Sequence, residues 1–200
     1  MRFPPLGAPL FLIASVVAFS ILGWIAPPFR RAMILNPFRV RTKGQIWRLL
    51  TAGWLHASLG HLVFNMLALY FFAGPALRKL GETPFVALYV SAVVVAFVPS
   101  TLRHMGRPGY NTLGASGAVA AVMFSAILLE PKLKLLVWFV PIPVPALLFA
   151  AGYLAYSAWR AYASADDVNH TAHFAGAVYG VLFTFAFEPA RVESALRSLG

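Results

Sequence analysis

The chain contains no cysteine. Disulfides, thiolate zinc sites and a cysteine nucleophile are therefore excluded, while the redox compartment stays open. Acid is scarce as well: 6 Asp and Glu stand against 16 Lys and Arg, for a net charge of +10. Glu82, Glu130 and Glu188 fall at the ends of apolar segments, and Asp166 and Asp167 fall between two of them. None is well placed as the third member of a catalytic triad. With no His-Glu-x-x-His and no acidic ligand set around the histidines, no metal or other cofactor is expected. Internal repeats, low-complexity tracts and a separable soluble domain are also missing. At 200 residues the chain suits one domain, 1–200, with a core at about 8–187.

Apolar residues are in excess. The chain is 60% hydrophobic and 11% charged, where a soluble domain is about 45–50% apolar and about 25% charged. In a soluble protein the surplus of bases would suggest nucleic acid. Here they lie in short stretches between apolar segments, as in Arg30-Arg31, Arg39-Val40-Arg41-Thr42-Lys43 and Arg78-Lys79. Lipid headgroups, not nucleic acid, are the expected contact.

A span needs roughly 20 apolar residues. Six stretches come near that length: 8–27, about 59–77, 84–102, 113–129, about 144–159, and 171–187. The first is too long in its apolar region for a secretory signal, and further spans follow it. Pro141, Pro143 and Pro145 break the run before the fifth segment, so 135–140 reads as an interfacial loop. The connection from 28 to about 58 carries Arg30, Arg31, Arg39, Arg41, Lys43 and Arg48 with Trp47 and Trp54. Tryptophan and arginine favour the headgroup level, so this loop is expected partly in the interface. The expected fold class is all-α, a polytopic bundle of six transmembrane helices with an interfacial first loop. Charge bias slightly favours the side of that loop as cytoplasmic.

Two polar residues open apolar runs: Ser116 in Gly114-Ala115-Ser116-Gly117, and His173 in Ala172-His173-Phe174-Ala175-Gly176. Membranes exclude such groups unless they are paired or face a cavity. A histidine can take the proton of a serine, and the serine can then attack an amide. The plainer readings are a serine bonded to a carbonyl one turn back and a histidine bonded across helices. Three features favour chemistry. Gly114 and Gly117 clear the space around the hydroxyl. Ser116 falls at a helix N-terminus, whose free N–H groups suit a developing oxyanion. Gly176 and Gly180 follow His173 at four-residue spacing and allow close approach, with Gly117, Ala118 and Ala121 as the expected facing surface. A third pair, His61 and Asn65, shares one helix face at i, i+4. Two donors there suit a polarised carbonyl, or else an interhelical clamp. His56 and His170 are weaker candidates at span ends.

Taken together these residues resemble the rhomboid family of intramembrane serine proteases, over Trp47 to Gly180. Trp47-Arg48 is similar to its first-loop motif, and His56 followed by His61-x-x-x-Asn65 to its second-helix pattern. Gly114-x-Ser116-Gly117 matches its nucleophile motif, and Ala172-His173-x-x-Gly176-x-x-x-Gly180 its base motif. The resemblance implies Ser116 as nucleophile and His173 as general base. It implies an oxyanion hole from His61, Asn65 and the Ser116 N–H, with Trp47, Arg48, His56, Gly114, Gly117, Gly176 and Gly180 as structural residues. It also implies an active site open to the non-cytoplasmic side, against the charge bias. Two departures stand out. Ala120 occupies a position where the family often carries an aromatic packed on the base, which leaves Met123 or Phe174 to orient His173. The family's glutamate after the second span has no counterpart in 74–81.

The leading expectation is an endopeptidase cutting transmembrane segments of other membrane proteins. The alternative is an inactive rhomboid-like protein that binds transmembrane clients. A small transporter would predict internal repeats, and none is seen. The minimal size, with no organelle-targeting stretch ahead of the first span, points to a bacterial inner membrane.

Overall fold

The structure, a computed structural model, describes residues 7–135, 142–163 and 169–199. In chain order these form α1 (Gly7–Ile25), α2 (Pro27–Met33), α3 (Pro37–Lys43), and α4 (Arg48–Thr51) running into a 3₁₀ turn (Ala52–Trp54). Then come α5 (Leu59–Leu80), α6 (Glu82–His104), α7 (Ser116–Leu129), β1 (Lys134–Leu135), β2 (Val144–Pro145), α8 (Ala146–Ala163), α9 (His170–Phe187) and α10 (Pro189–Arg197). The protein is mostly helical. The antiparallel pairing of β1 with β2 was not expected. It brackets most of the proline-broken stretch read as an interfacial loop, of which 136–140 lie outside the described residues. Helix α10, beyond the last expected span, is a further addition.

Among the described residues three helices, α1, α5 and α6, are long and apolar enough to cross a membrane by length and composition, which supports an integral membrane protein. The outer faces carry exposed Phe11, Phe64, Phe71, Leu148 and Leu182. So many large apolar groups facing outward suit lipid as their solvent. Helix α7 has only 14 residues, about 21 Å at 1.5 Å per residue, against a hydrocarbon core of about 30 Å. Helices α8 and α9 have 18 residues each and carry Tyr156, Ser157 and Arg160, or His170, Thr171 and His173. Length and composition thus support three crossings, where the apolar runs suggested six.

Helix α7 is the centre of the molecule. All of its residues but Ser116 and Leu128 are buried. It packs against α5, α6 and α9, while α8 lies on α9 and α1 on α5. Leu69, Phe85, Leu88, Tyr89, Ala121 and Val122 form the innermost layer. Deep in the α7–α9 seam a buried polar contact places Thr184 Oγ1 at 2.7 Å from Ser125 Oγ and 2.7 Å from the Gly180 carbonyl oxygen.

The 28–58 connection is a packed unit. Pro37 starts α3 behind the N-cap Asn36, and Gly44 ends it in the left-handed region at φ 63°. Arg48 is buried and donates from Nη1 to the carbonyls of Arg31 (2.8 Å) and Ile34 (2.6 Å), and from Nε to Gln45 Oε1 (2.7 Å). Its charge is met by oxygen dipoles, as burial requires. Trp47 differs from its expected packing role. It is 52% exposed beside exposed Ile46, so it serves the outer surface and not the core.

Candidate active site

Ser116 owes its place to the 105–115 connection, which the 28–58 unit fastens at several points. Leu35 and Thr112 exchange backbone hydrogen bonds at 3.1 and 3.0 Å. Asn36 Nδ2 donates to the carbonyls of Pro108 (2.9 Å) and Tyr110 (3.2 Å). The Gly114 N–H donates to the Ala52 carbonyl at 3.0 Å. Gly114 has φ +122°, and a Cβ there would lie 2.8 Å from His61 Cε1, so both backbone and space demand glycine.

His56, weakly marked by its position at a span end, is a buried support. Its exposure is 1%. The Ala115 N–H donates to its Nε2 at a long 3.5 Å, which leaves the proton on Nδ1 to be donated to Ser20 Oγ at 3.0 Å. The Ser20 hydroxyl in turn donates to the Trp54 carbonyl at 3.1 Å. Burial first, and the His61 ring second, push the His56 imidazole down to about 3. It is therefore neutral and able to accept. Helix α1 thus reaches the Ser116 loop through one histidine.

His173 is placed by Asn169, the N-cap of α9. Asn169 Oδ1 accepts from the Ala172 N–H (3.0 Å) and from the Ser100 hydroxyl (2.8 Å), while its Nδ2 donates to Thr112 Oγ1 at 3.2 Å. One residue therefore ties the start of α9 to α6 and to the Ser116 connection. His173 Nε2 lies 2.7 Å from Ser116 Oγ. Around the imidazole, Tyr153 of α8 lies nearly parallel at 6.3 Å between centroids, and His170 stands edge-on at 5.5 Å. Phe174, one of the two residues expected to orient His173, is 40% exposed. Met123 is buried, but the ring contacts come from Tyr153 and His170.

The pairing depends on how closely α7 and α9 approach. A Cβ on Gly176 would meet the Gly117 backbone, with its Cα at 2.9 Å. One on Gly180 would meet the Ala121 backbone, with its Cα at 2.6 Å. Gly117 itself faces Ala96 and the Ala172 carbonyl oxygen. Of the expected facing surface, Gly117 and Ala121 make these contacts.

His61 and Asn65 occupy successive turns of α5. The His61 ring lies against Gly114, beside Ser116, and packs edge-on with His56 at 4.8 Å. Asn65 is buried, and its Nδ2 donates to the His61 carbonyl at 2.8 Å, a bond within its own helix. The second amide hydrogen is not used by that bond. Sequence reasoning missed Asn36, Asn169 and Tyr153. Asn169 had a signal, a capping residue just before an apolar run. Tyr153 had none without knowing that α8 abuts α9.

Chemically, the arrangement offers a hydroxyl at a helix N-terminus, an imidazole at hydrogen-bond distance, and further donor groups beside them. Residues 43–189 match the family model described as the rhomboid domain. Among similar proteins is "RHOMBOID-like protein 12, mitochondrial" of Arabidopsis thaliana, 28% identical over 77% of this chain and 51% of the relative. "Presenilin-associated rhomboid-like protein, mitochondrial" of Homo sapiens is 28% identical over 86% of this chain and 46% of the relative. "Rhomboid protein 1, mitochondrial" of Saccharomyces cerevisiae is 32% identical over 64% of this chain and 38% of the relative. The chain spans about half the length, or less, of these curated relatives. Their names place the relatives in mitochondria and give no support to the bacterial membrane expected from chain size.

Proposed function

This chain belongs to the rhomboid family, and from that premise we propose that it is an intramembrane serine endopeptidase cutting transmembrane segments of other membrane proteins. The observation that carries the reading is the 2.7 Å contact between Ser116 Oγ and His173 Nε2. In the proposed reaction His173 takes the hydroxyl proton as Ser116 Oγ attacks the scissile carbonyl carbon. The oxyanion that forms accepts hydrogen bonds from the Ser116 N–H, His61 and the free hydrogen of Asn65. His173 then gives its proton to the leaving amine, and the C–N bond breaks. Water, activated by the same imidazole, hydrolyses the acyl-enzyme and restores the serine.

The same reading takes α7, α8 and α9 as the remaining crossings, for six in a single domain spanning 1–200. The shortness of α7 then leaves Ser116 recessed from one membrane face, where a water-filled cavity is needed. The inactive client-binding alternative rested on Ala120, and Tyr153 beside His173 weakens that ground. A serine-directed fluorophosphonate separates the two readings. An endopeptidase is labelled, and Ser116→Ala is not. Purified wild-type protein that stays unlabelled at saturating probe would favour the client binder.

Two milder effects follow. Asn65→Ala should lower single-turnover cleavage without blocking fluorophosphonate labelling. One oxyanion donor is worth about 10²–10³ in rate in soluble proteases, and two donors would remain here. Full activity in this variant would return Asn65 to a packing role. Tyr153→Leu should lower kcat about 2- to 10-fold, the equivalent of an aromatic contact worth about 0.5–1.5 kcal/mol. Tyr153→Phe keeps the ring and should keep kcat. If both variants lost only thermal stability, Tyr153 would not orient the base.

A further inference from the structure

At the far end of α7 from Ser116, roughly 20 Å away by helical rise, a cavity of about 930 Å³ opens to the surface. Its charged lining converges from three parts of the chain. Arg78 and Lys79 stand in the last turn of α5, Lys132 and Lys134 follow α7, and Arg191 lies in the first turn of α10. Among these cations Arg78 is paired with Glu130 at 3.3 Å and Arg191 with Glu188 at 3.3 Å, so the surplus positive charge rests on Lys79, Lys132 and Lys134. Like charges drawn together in this way repel one another, and a bound anion reverses the sign of that interaction.

The depth of the cavity narrows the choice of anion. α5 is one of the helices long and apolar enough to cross a membrane. Its basic last turn therefore marks where a span leaves the hydrocarbon, at headgroup level. Part of the cavity wall is apolar, Leu133 included. A free inorganic anion has no use for such a wall, whereas the glycerol ester region of a lipid does. We propose that this cavity binds the phosphate headgroup of an anionic phospholipid. A guanidinium fork such as that of Arg78 suits two phosphate oxygens, and lysines add point charges. Basic pockets between helices at a membrane surface hold anionic headgroups by this means. The site stands apart from Ser116 and does not depend on the peptidase reading.

The test uses the purified full chain in neutral detergent. The midpoint of thermal unfolding is followed during titration with phosphatidylglycerol, with phosphatidylcholine of the same acyl chains, or with inorganic phosphate. Phosphatidylglycerol should raise the midpoint, and the other two should not. The triple variant Lys79→Gln/Lys132→Gln/Lys134→Gln should weaken apparent affinity at least 10-fold. Arg39→Gln/Arg41→Gln/Lys43→Gln removes three exposed cations that meet headgroups only on the open surface of the 28–58 unit, and should weaken binding less than about 3-fold. Native mass spectrometry provides a second readout, a retained phosphatidylglycerol adduct lost only in the first variant. Equal stabilisation by inorganic phosphate would overturn the lipid assignment. Unchanged binding in the first variant, or equal loss in both, would overturn the site.

Discussion

Ser116→Ala and His173→Ala are each expected to abolish peptide-bond cleavage, by a factor on the order of 10⁴ or more. The expectation follows from the contact at 2.7 Å. The hydroxyl is a poor nucleophile until a base takes its proton, and the imidazole has no covalent role without the hydroxyl. Members of such a pair act as a unit, so the double variant should be no slower than the worse single one. Both proteins should remain folded. Ser116 stands at the first position of α7, where alanine is acceptable to the helix. The lost hydrogen bond is worth about 0.5–1.5 kcal/mol. The measurement is cleavage of a transmembrane substrate in proteoliposomes, with melting curves run in parallel. Substantial cleavage by purified Ser116→Ala protein would sink the dyad. So would a double variant far slower than either single one, which would show two independent contributions.

The residues most legible in the sequence were those whose chemistry clashes with their surroundings. A serine between glycines and a histidine opening an apolar run stand out because the membrane penalises them. The Gly176 and Gly180 spacing could be read for the same reason, since a helix gains nothing locally from two glycines. The start of α7 was less visible. The apolar run begins at 113, but Gly114 at φ +122° cannot lie in a helix, so α7 begins at Ser116 and is shorter than the run. That difference underlies part of the gap between six apolar segments and three helices that meet the length and composition of a span. Asn36 and Asn169 were hidden because they act across the fold. Asn36 holds the Pro108 and Tyr110 carbonyls, and Asn169 reaches Ser100 and Thr112. His56 was only weakly marked for a related reason. Its sequence neighbours are those of a loop end, and its burial comes from Ser20 and Trp24 of α1.

The second large effect is expected at the seam between α7 and α9. Gly176→Ala and Gly180→Ala should each lower activity about 100-fold together with the melting temperature, because a shift of about 1 Å in reacting groups has an effect of that size. Alanine is enough, and valine should be worse. The added carbon at 176 would sit against the Gly117 backbone, and at 180 against the Ala121 backbone. Neither obstacle is a side chain that can rotate away, so one helix must move. Gly117 follows Ser116 directly, and the displacement at 176 therefore opens the Ser116–His173 contact itself. Gly180 lies one turn further along, where the same displacement acts on packing around Ser125 and Thr184 and reaches the dyad only by tilting α9. Gly176→Ala should accordingly lose more activity per degree of melting temperature than Gly180→Ala. Gly152 of α8 is the control, since a Cβ there has no atom within 4 Å. Gly152→Ala should be as active as wild type and, from helix propensity alone, as stable or more so. Wild-type melting and activity in Gly176→Ala would show that the two backbones are not in contact, and the closeness of α7 to α9 could then no longer account for the placement of His173.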